Sequence, residues 1–150
     1  MKKVLITVFV WLPLLLHAQS KDEWITVISA KSAKETAESL QKAIQEKGFK
    51  IFNMIDHAAG AESVGMALRA TTLIVFGNPR GGTPLMNCDQ RMGIILPLKI
   101  LIWEDEQKQV KAGSINPEKY LKEYDLEKCK EGVAKMKVVL TDLLATVERK

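Results

Sequence analysis

Asp56 and His57 are adjacent in the chain, and Ala58-Ala59-Gly60 follows them. The alternating apolar run before them reads as a strand, so the pair would sit at a strand end, where loop side chains can face a cleft. A carboxylate beside an imidazole could move protons near neutral pH, and the imidazole could also bind a metal. The plainer alternative is structural: Asp56 caps the next turn and His57 donates to a backbone carbonyl. No Ser or Cys nucleophile stands at a recognisable triad spacing from His57. The second cluster is Gly77 to Pro84, GNPRGGTP. Its glycines would let backbone N–H groups approach a ligand. A helix opening at Thr83-Pro84 would add its own unpaired donors, with Arg80 as counter-charge for an anion. The cluster is not a phosphate-binding P-loop, because the terminal Gly-Lys-Ser/Thr is missing. An ordinary tight connection is the alternative. His57, Met86, Cys88 and Met92 have the chemistry of a soft-metal site. Met86 and Met92 lie six apart, however, which does not put them on one helical face. We therefore expect no metal and no cofactor. Glu104-Asp105-Glu106 reads as a solvated hairpin tip.

The chain that must position these residues has 150 residues and a formal net charge of +4. Lys2 and Lys3 precede an uncharged apolar run, Val4 to Leu16, and His17, Ala18, Gln19 and Ser20 follow it. A basic start, a short apolar core and a small-residue exit form the pattern of a secretory signal peptide. The run is 13 residues long and contains Pro13; a spanning helix needs roughly 20. The reading is export, periplasmic or secreted, with cleavage after Ala18 (Ser20 as the alternative) and no membrane attachment afterwards. That leaves residues 19–150 as one domain, 132 residues with a net charge of +2. Nucleic acid is excluded as a partner class, since no dense basic face with interleaved aromatics is present. Cys88 and Cys129 are the only cysteines. Outside the cytoplasm they could form a disulfide, or they could remain two small partly buried thiols.

Trp24 to Ala30 is β-branched and alternating, and predicts a first strand. Ser32 and Glu35 form a capping box ahead of a helix over 33–47, which Gly48 ends. Phe49 to Ile55 alternates as a second strand, with Phe49, Ile51, Asn53 and Ile55 on one face. A short helix over 62–68 is expected next, then a buried strand, Thr71 to Phe76. Thr83-Pro84 would open a helix running to about Met92. A strand follows within Ile94 to Trp103, with Pro97 at its beginning or on an edge. Gln109 to Ile115 returns as the last strand. Tyr120, Leu121 and Tyr124 mark a short helix. Val133 to Val147 marks a long amphipathic one. The order favours an α+β fold, with helices packed on one face of a mixed sheet and small helices inserted.

Residues 48–104 also resemble a known family. The pieces that carry the likeness are Gly48-Phe49, Ile55 to Gly60, the turn Phe76-Gly77-Asn78-Pro79, Gly82 to Met86, Leu96 to Lys99, and Trp103-Glu104. As a set they are similar to the domain of unknown function 302 family. Cys88-Asp89 and the stretch 111–116 depart from its pattern. The resemblance implies a two-layer β-α-β(4)-α domain, often paired as a homodimer, and no established activity. The expected function is an exported, non-catalytic module for a small ligand, an anion or a partner protein. Its cleft is expected to gather Asp56, His57, Asn78, Arg80, Thr83 and Met86. An acid–base enzyme using Asp56-His57 and a periplasmic copper-binding protein are the alternatives.

Overall fold

The computed structural model describes residues 23–149. The leader expected over residues 1–18, and the polar residues 19–22, lie outside them.

The first helix follows from its cap. The Ser32 hydroxyl accepts from the Glu35 N–H, and a Glu35 carboxylate oxygen accepts from the Ser32 N–H at 3.1 Å. This reciprocal pair satisfies two otherwise orphaned donors. Helix α1 (Ala33–Glu46) then buries Ala37, Leu40 and Ile44 on one stripe. Gly48 stops it at φ +77°, a conformation that costs glycine nothing. The long C-terminal helix α4 (Lys130–Ala145) buries Met136, Leu140, Leu143 and Leu144. Both helices cover one face of a five-stranded sheet, formed by β1 (Trp24–Ile28), β2 (Lys50–Asp56), β3 (Thr71–Gly77), β4 (Leu98–Glu104) and β5 (Val110–Ile115). Ile74, Phe76, Ile100 and Ile102 fill the centre of this core and are fully enclosed.

The strand order is β1-β5-β4-β3-β2, and all four pairings are antiparallel. This is narrower than the mixed sheet expected from a strand–helix–strand opening. β1 and β2 do point the same way, as a crossover helix requires. They occupy opposite edges, however, because the meander from β2 to β5 fills the space between them.

Three elements differ from expectation. The helix after β2 is α2 (His57–Glu62), not 62–68. Asp56 starts it by accepting from the Ala59 N–H at 3.0 Å, and Gly65 at φ +74° turns the chain away. Val64 and Leu68, which would share one face of a helix over 62–68, are both exposed. The second difference lies in β2, where the register shifts between Ile51 and Asn53. Phe52 is the extra residue of this bulge. Because side chains alternate with period two, one inserted residue swaps the faces beyond it. Ile51 and Met54 therefore pack on the core, while Asn53 and Ile55 face away.

The third difference is the Gly77–Thr83 segment, which is mostly helix. Helix α3 (Pro79–Cys88) opens at Asn78, whose Oδ1 accepts from the Arg80 N–H at 2.9 Å. Asn78-Pro79 and Thr83-Pro84 are both cap-and-proline signatures, and the earlier one is used. Pro84 consequently sits inside the helix. A 3₁₀ turn, Gln90–Ile94, continues from α3, and others at Pro117–Lys122 and Glu127–Cys129 lead into α4. Leu85, Met92, Tyr120, Leu126, Val133 and Met136 form a second, smaller core among these pieces.

Candidate ligand cleft

A cleft of about 380 Å³ opens where the first core meets the second. Phe49 and Phe52 line it from the start of β2. Asn78, Gly81, Gly82, Thr83 and Met86 line it from α3, Leu96 and Pro97 from the lead into β4, and Gly132, Lys135, Met136 and Val139 from α4. The lining is chiefly apolar, with Asn78, Thr83 and Lys135 as its polar side chains.

Each wall has a local cause. The Phe49 ring is wedged edge-on to Phe76, with centroids 5.8 Å apart. The bulge places Phe52 against Gly77, where a Cβ would already touch the Phe52 ring at 3.4 Å. Phe52 remains 45% exposed, so its ring is presented rather than packed away. The Lys50 ammonium sits 5.6 Å from its centroid. The Leu96-Pro97 wall is held by Lys99, whose ammonium donates to the carbonyls of Ile95 (2.7 Å) and Pro97 (2.9 Å). Partial burial pulls the Lys99 pKa below its ordinary value.

Two clamps join the helical walls beyond the cleft. Cys88, the last residue of α3, is disulfide-bonded to Cys129, just before α4, with Cα atoms 6.5 Å apart. The next residue, Asp89, accepts from Arg91 Nε (3.0 Å), Arg91 Nη2 (2.6 Å) and the Asp125 N–H (3.1 Å). Its side chain is only 7% exposed. The Arg91 guanidinium first, then the backbone donors, hold its carboxyl well below the usual carboxylate range. Cys88 and Asp89 thus form two adjacent staples, one covalent to Cys129 and one hydrogen-bonded to the Asp125 backbone.

The expected site residues do not form one cleft. Asn78, Thr83 and Met86 line it, and Arg80 is exposed on the first turn of α3 beside it. Asp56 and His57 lie elsewhere. Asp56 pairs with Thr72, whereas Lys50 pairs with Gly77, so the two clusters sit at opposite ends of β2, about 20 Å apart at the rise of a strand. Asp56 is committed to capping α2, and His57 is exposed on its first turn. The donors expected to hold an anion at the glycine cluster are also occupied. Pro79 has none, Arg80 N–H binds the Asn78 side chain, and the N–H groups of Gly81 and Gly82 bind the Asn78 carbonyl. The soft-metal set is dispersed: Cys88 is in the disulfide, Met92 is fully buried, and His57 is remote. At the hairpin tip, Asp105 turns inward to accept from the N–H groups of Gln107 and Gln109, both at 2.9 Å. Sequence reasoning missed Phe52, because its place depends on a bulge. It missed Lys135 and Val139 because α4 reads as a core helix.

A two-layer α+β domain, with paired crossover and terminal helices over an antiparallel sheet, is the class this architecture defines. The chain belongs to the family described as domain of unknown function DUF302, which residues 25–143 match. Its fold is similar to that of an uncharacterized conserved protein DUF302 from Bacillus stearothermophilus, known from a crystal structure. The TM-score is 0.76 at 19% identity, covering 83% of this chain and 98% of that one. The chain is also similar to fluoride-specific ion channel FluC 1 of Brucella suis biovar 1, 41% identical over 86 residues. FluC 2 of Brucella melitensis biotype 1 matches to the same degree. These matches cover 57% of this chain but only 34% and 32% of the two relatives, so the chain spans about a third of the curated proteins it resembles.

Proposed function

We propose that this domain is an exported, non-catalytic module that binds a small molecule in the cleft between α3 and α4. The cleft carries the reading. It is concave, mostly apolar, walled by four separate chain segments and furnished with a few polar groups, which is the usual make-up of a small-ligand site. Asn78, Thr83 and Met86 are the ligand-binding residues, together with Phe52 and Lys135. Arg80 serves the rim, and Asp56 and His57 have no part in the site. Export is supported independently by the Cys88–Cys129 bond, since disulfides persist in oxidising compartments. A thermal-shift screen over chemical classes is the test. Stabilisation by at least one class, lost when Phe52→Ala or Val139→Trp alters the cleft, is expected. No stabilisation by any class sinks the reading.

We propose further that the domain pairs with a second copy through the sheet face opposite the helices. Trp24, Leu73, Leu101 and Trp103 point to that side, and Trp24 is 47% exposed. An antiparallel sheet facing water on one side ordinarily carries polar residues there.

The likeness to part of two fluoride channels favours one additional reading, that this domain accompanies an ion pathway without forming it. Among the described residues no helix is long and apolar enough to cross a membrane. Vesicles containing only this chain are expected to show no fluoride flux, and measurable flux would reverse this.

A further inference from the structure

Resting on the cleft reading above, we propose that the cleft takes an anionic amphiphile: a compact apolar body between α3 and α4, with its single negative group at Lys135. Three features of the walls lead there.

The first is open space along α3. A Cβ at Gly81 would meet nothing within 4 Å, and one at Gly82 would meet only Leu96 Cδ1, at 3.4 Å. This side of the cleft is therefore a trough of bare backbone. Gly132 on the α4 side differs, because a Cβ there would come within 3.0 Å of Leu85. Gly132 and Leu85 thus mark where α3 and α4 pack closely, while Gly81 and Gly82 leave bare backbone on the cleft wall. Phe49, Phe52 and Val139 face this trough with apolar surface, and an apolar ligand body would gain by leaving water there.

The second feature is the charge balance. Lys135 is the one charged side chain of the lining, and no carboxylate lines the cleft. Among the described residues Lys135 has no ion-pair partner. A ligand with a cationic head would meet a like charge, whereas an acidic head would meet its complement.

The third feature locates the head. The first-turn donors of α3 are already bound to Asn78, so the helix start cannot receive the negative group. Lys135, one turn along α4 from Gly132 and beside Met136, can. The volume, about 380 Å³, lies at the small end of ligand sites, roughly 300–1,000 Å³. That suits a medium-length chain or a small ring system.

The test is isothermal titration of the folded, disulfide-bonded protein with sodium decanoate and with decyltrimethylammonium, each below its micelle concentration. Decanoate should bind at least about fivefold more tightly, the scale of one favourable against one unfavourable exposed charge contact. Lys135→Glu should reverse that preference. Gly81→Leu, which fills open space, should remove decanoate binding without lowering the unfolding midpoint. Should Gly81→Leu disturb folding, Val139→Trp blocks the cleft from the α4 side. Equal binding of the two probes, or retained preference in Lys135→Glu, overturns the anionic-head assignment while the apolar cleft stands. Undiminished decanoate binding in both blocking variants overturns the site itself. Failure of both probes to bind overturns this proposal, and the broader screen then decides the small-ligand reading separately.

Discussion

Asp89 shows how one residue couples the fold to pH. Its carboxyl titrates below its unfolded value because Arg91 and two backbone N–H groups favour the charged form. A depressed folded pKa means the stabilisation is present above about pH 4, the unfolded carboxylate value. It is lost as pH falls from there through the folded pKa. Glu35, Asp105 and Glu118 are shifted the same way, by Ser32, Lys111 and Lys137 first in each case. Asp89→Asn should therefore be less stable than the parent protein at pH 7, by a margin that is smaller at pH 2. Urea unfolding at both values measures this, and a pH-independent difference would contradict it. Gly113 makes a sharper steric case. A Cβ there would fall 2.9 Å from the Ile25 carbonyl oxygen on the neighbouring strand. Gly113→Ala should cost about 1–3 kcal/mol, read from the same unfolding curves. Phe52→Ala should cost only about 1 kcal/mol, since half the ring is already in water, and yet it should weaken ligand binding.

Among the elements, α3 and α4 matter most, because the cleft lies between them. The Cys88–Cys129 bond joins their near ends and closes a loop of sequence separation 41. Constraint of the unfolded chain by a loop of that length stabilises by about 2–4 kcal/mol. Cys88→Ser with Cys129→Ser should lose that amount by chemical unfolding while leaving the five-stranded sheet intact by circular dichroism. Residues near Met86 and Met136 should show faster amide exchange in this variant, because the staple holds both walls. An unchanged exchange pattern would show that packing at Leu85 and Val133 alone fixes the cleft.

For the whole molecule, the sheet has one face covered by helices and one face bearing exposed tryptophan. The homodimer proposed through that face predicts an outcome for Leu101→Lys. This side chain is on the far side of β4 from the helical core, so the substitution should leave folding unchanged and shift sedimentation to the monomer. An unchanged sedimentation coefficient would place the contact elsewhere. Loss of the dimer should leave decanoate binding intact, because the cleft is built within one protomer.

Much of the fold was written locally. The capping box at Ser32–Glu35, the stop at Gly48, the apolar run of β3 and the periodic stripe of α4 each depend on neighbours within a few residues. Each is found where the sequence places it. The family resemblance, carried by turns and strand ends, is likewise a local signature. The candidate site was legible only in part. Asn78, Thr83 and Met86 stood out as turn and helix-start residues, but nothing local separates the two proline-capped helix starts, of which the one at Asn78 is used. Asp56-His57 looked like a neighbour of the glycine cluster because both follow strands. Antiparallel pairing of β2 with β3 sends the two strand ends in opposite directions. The bulge at Phe52 and the pairing of Cys88 with Cys129 are contacts between distant segments, so neither is recorded in spacing. The sequence by itself left open the bounds of the short helices α2 and α3, but it determined the strands and the two long helices. The tertiary structure decided which of their ends meet, because a cleft is made where chain segments converge, and convergence is a property of topology.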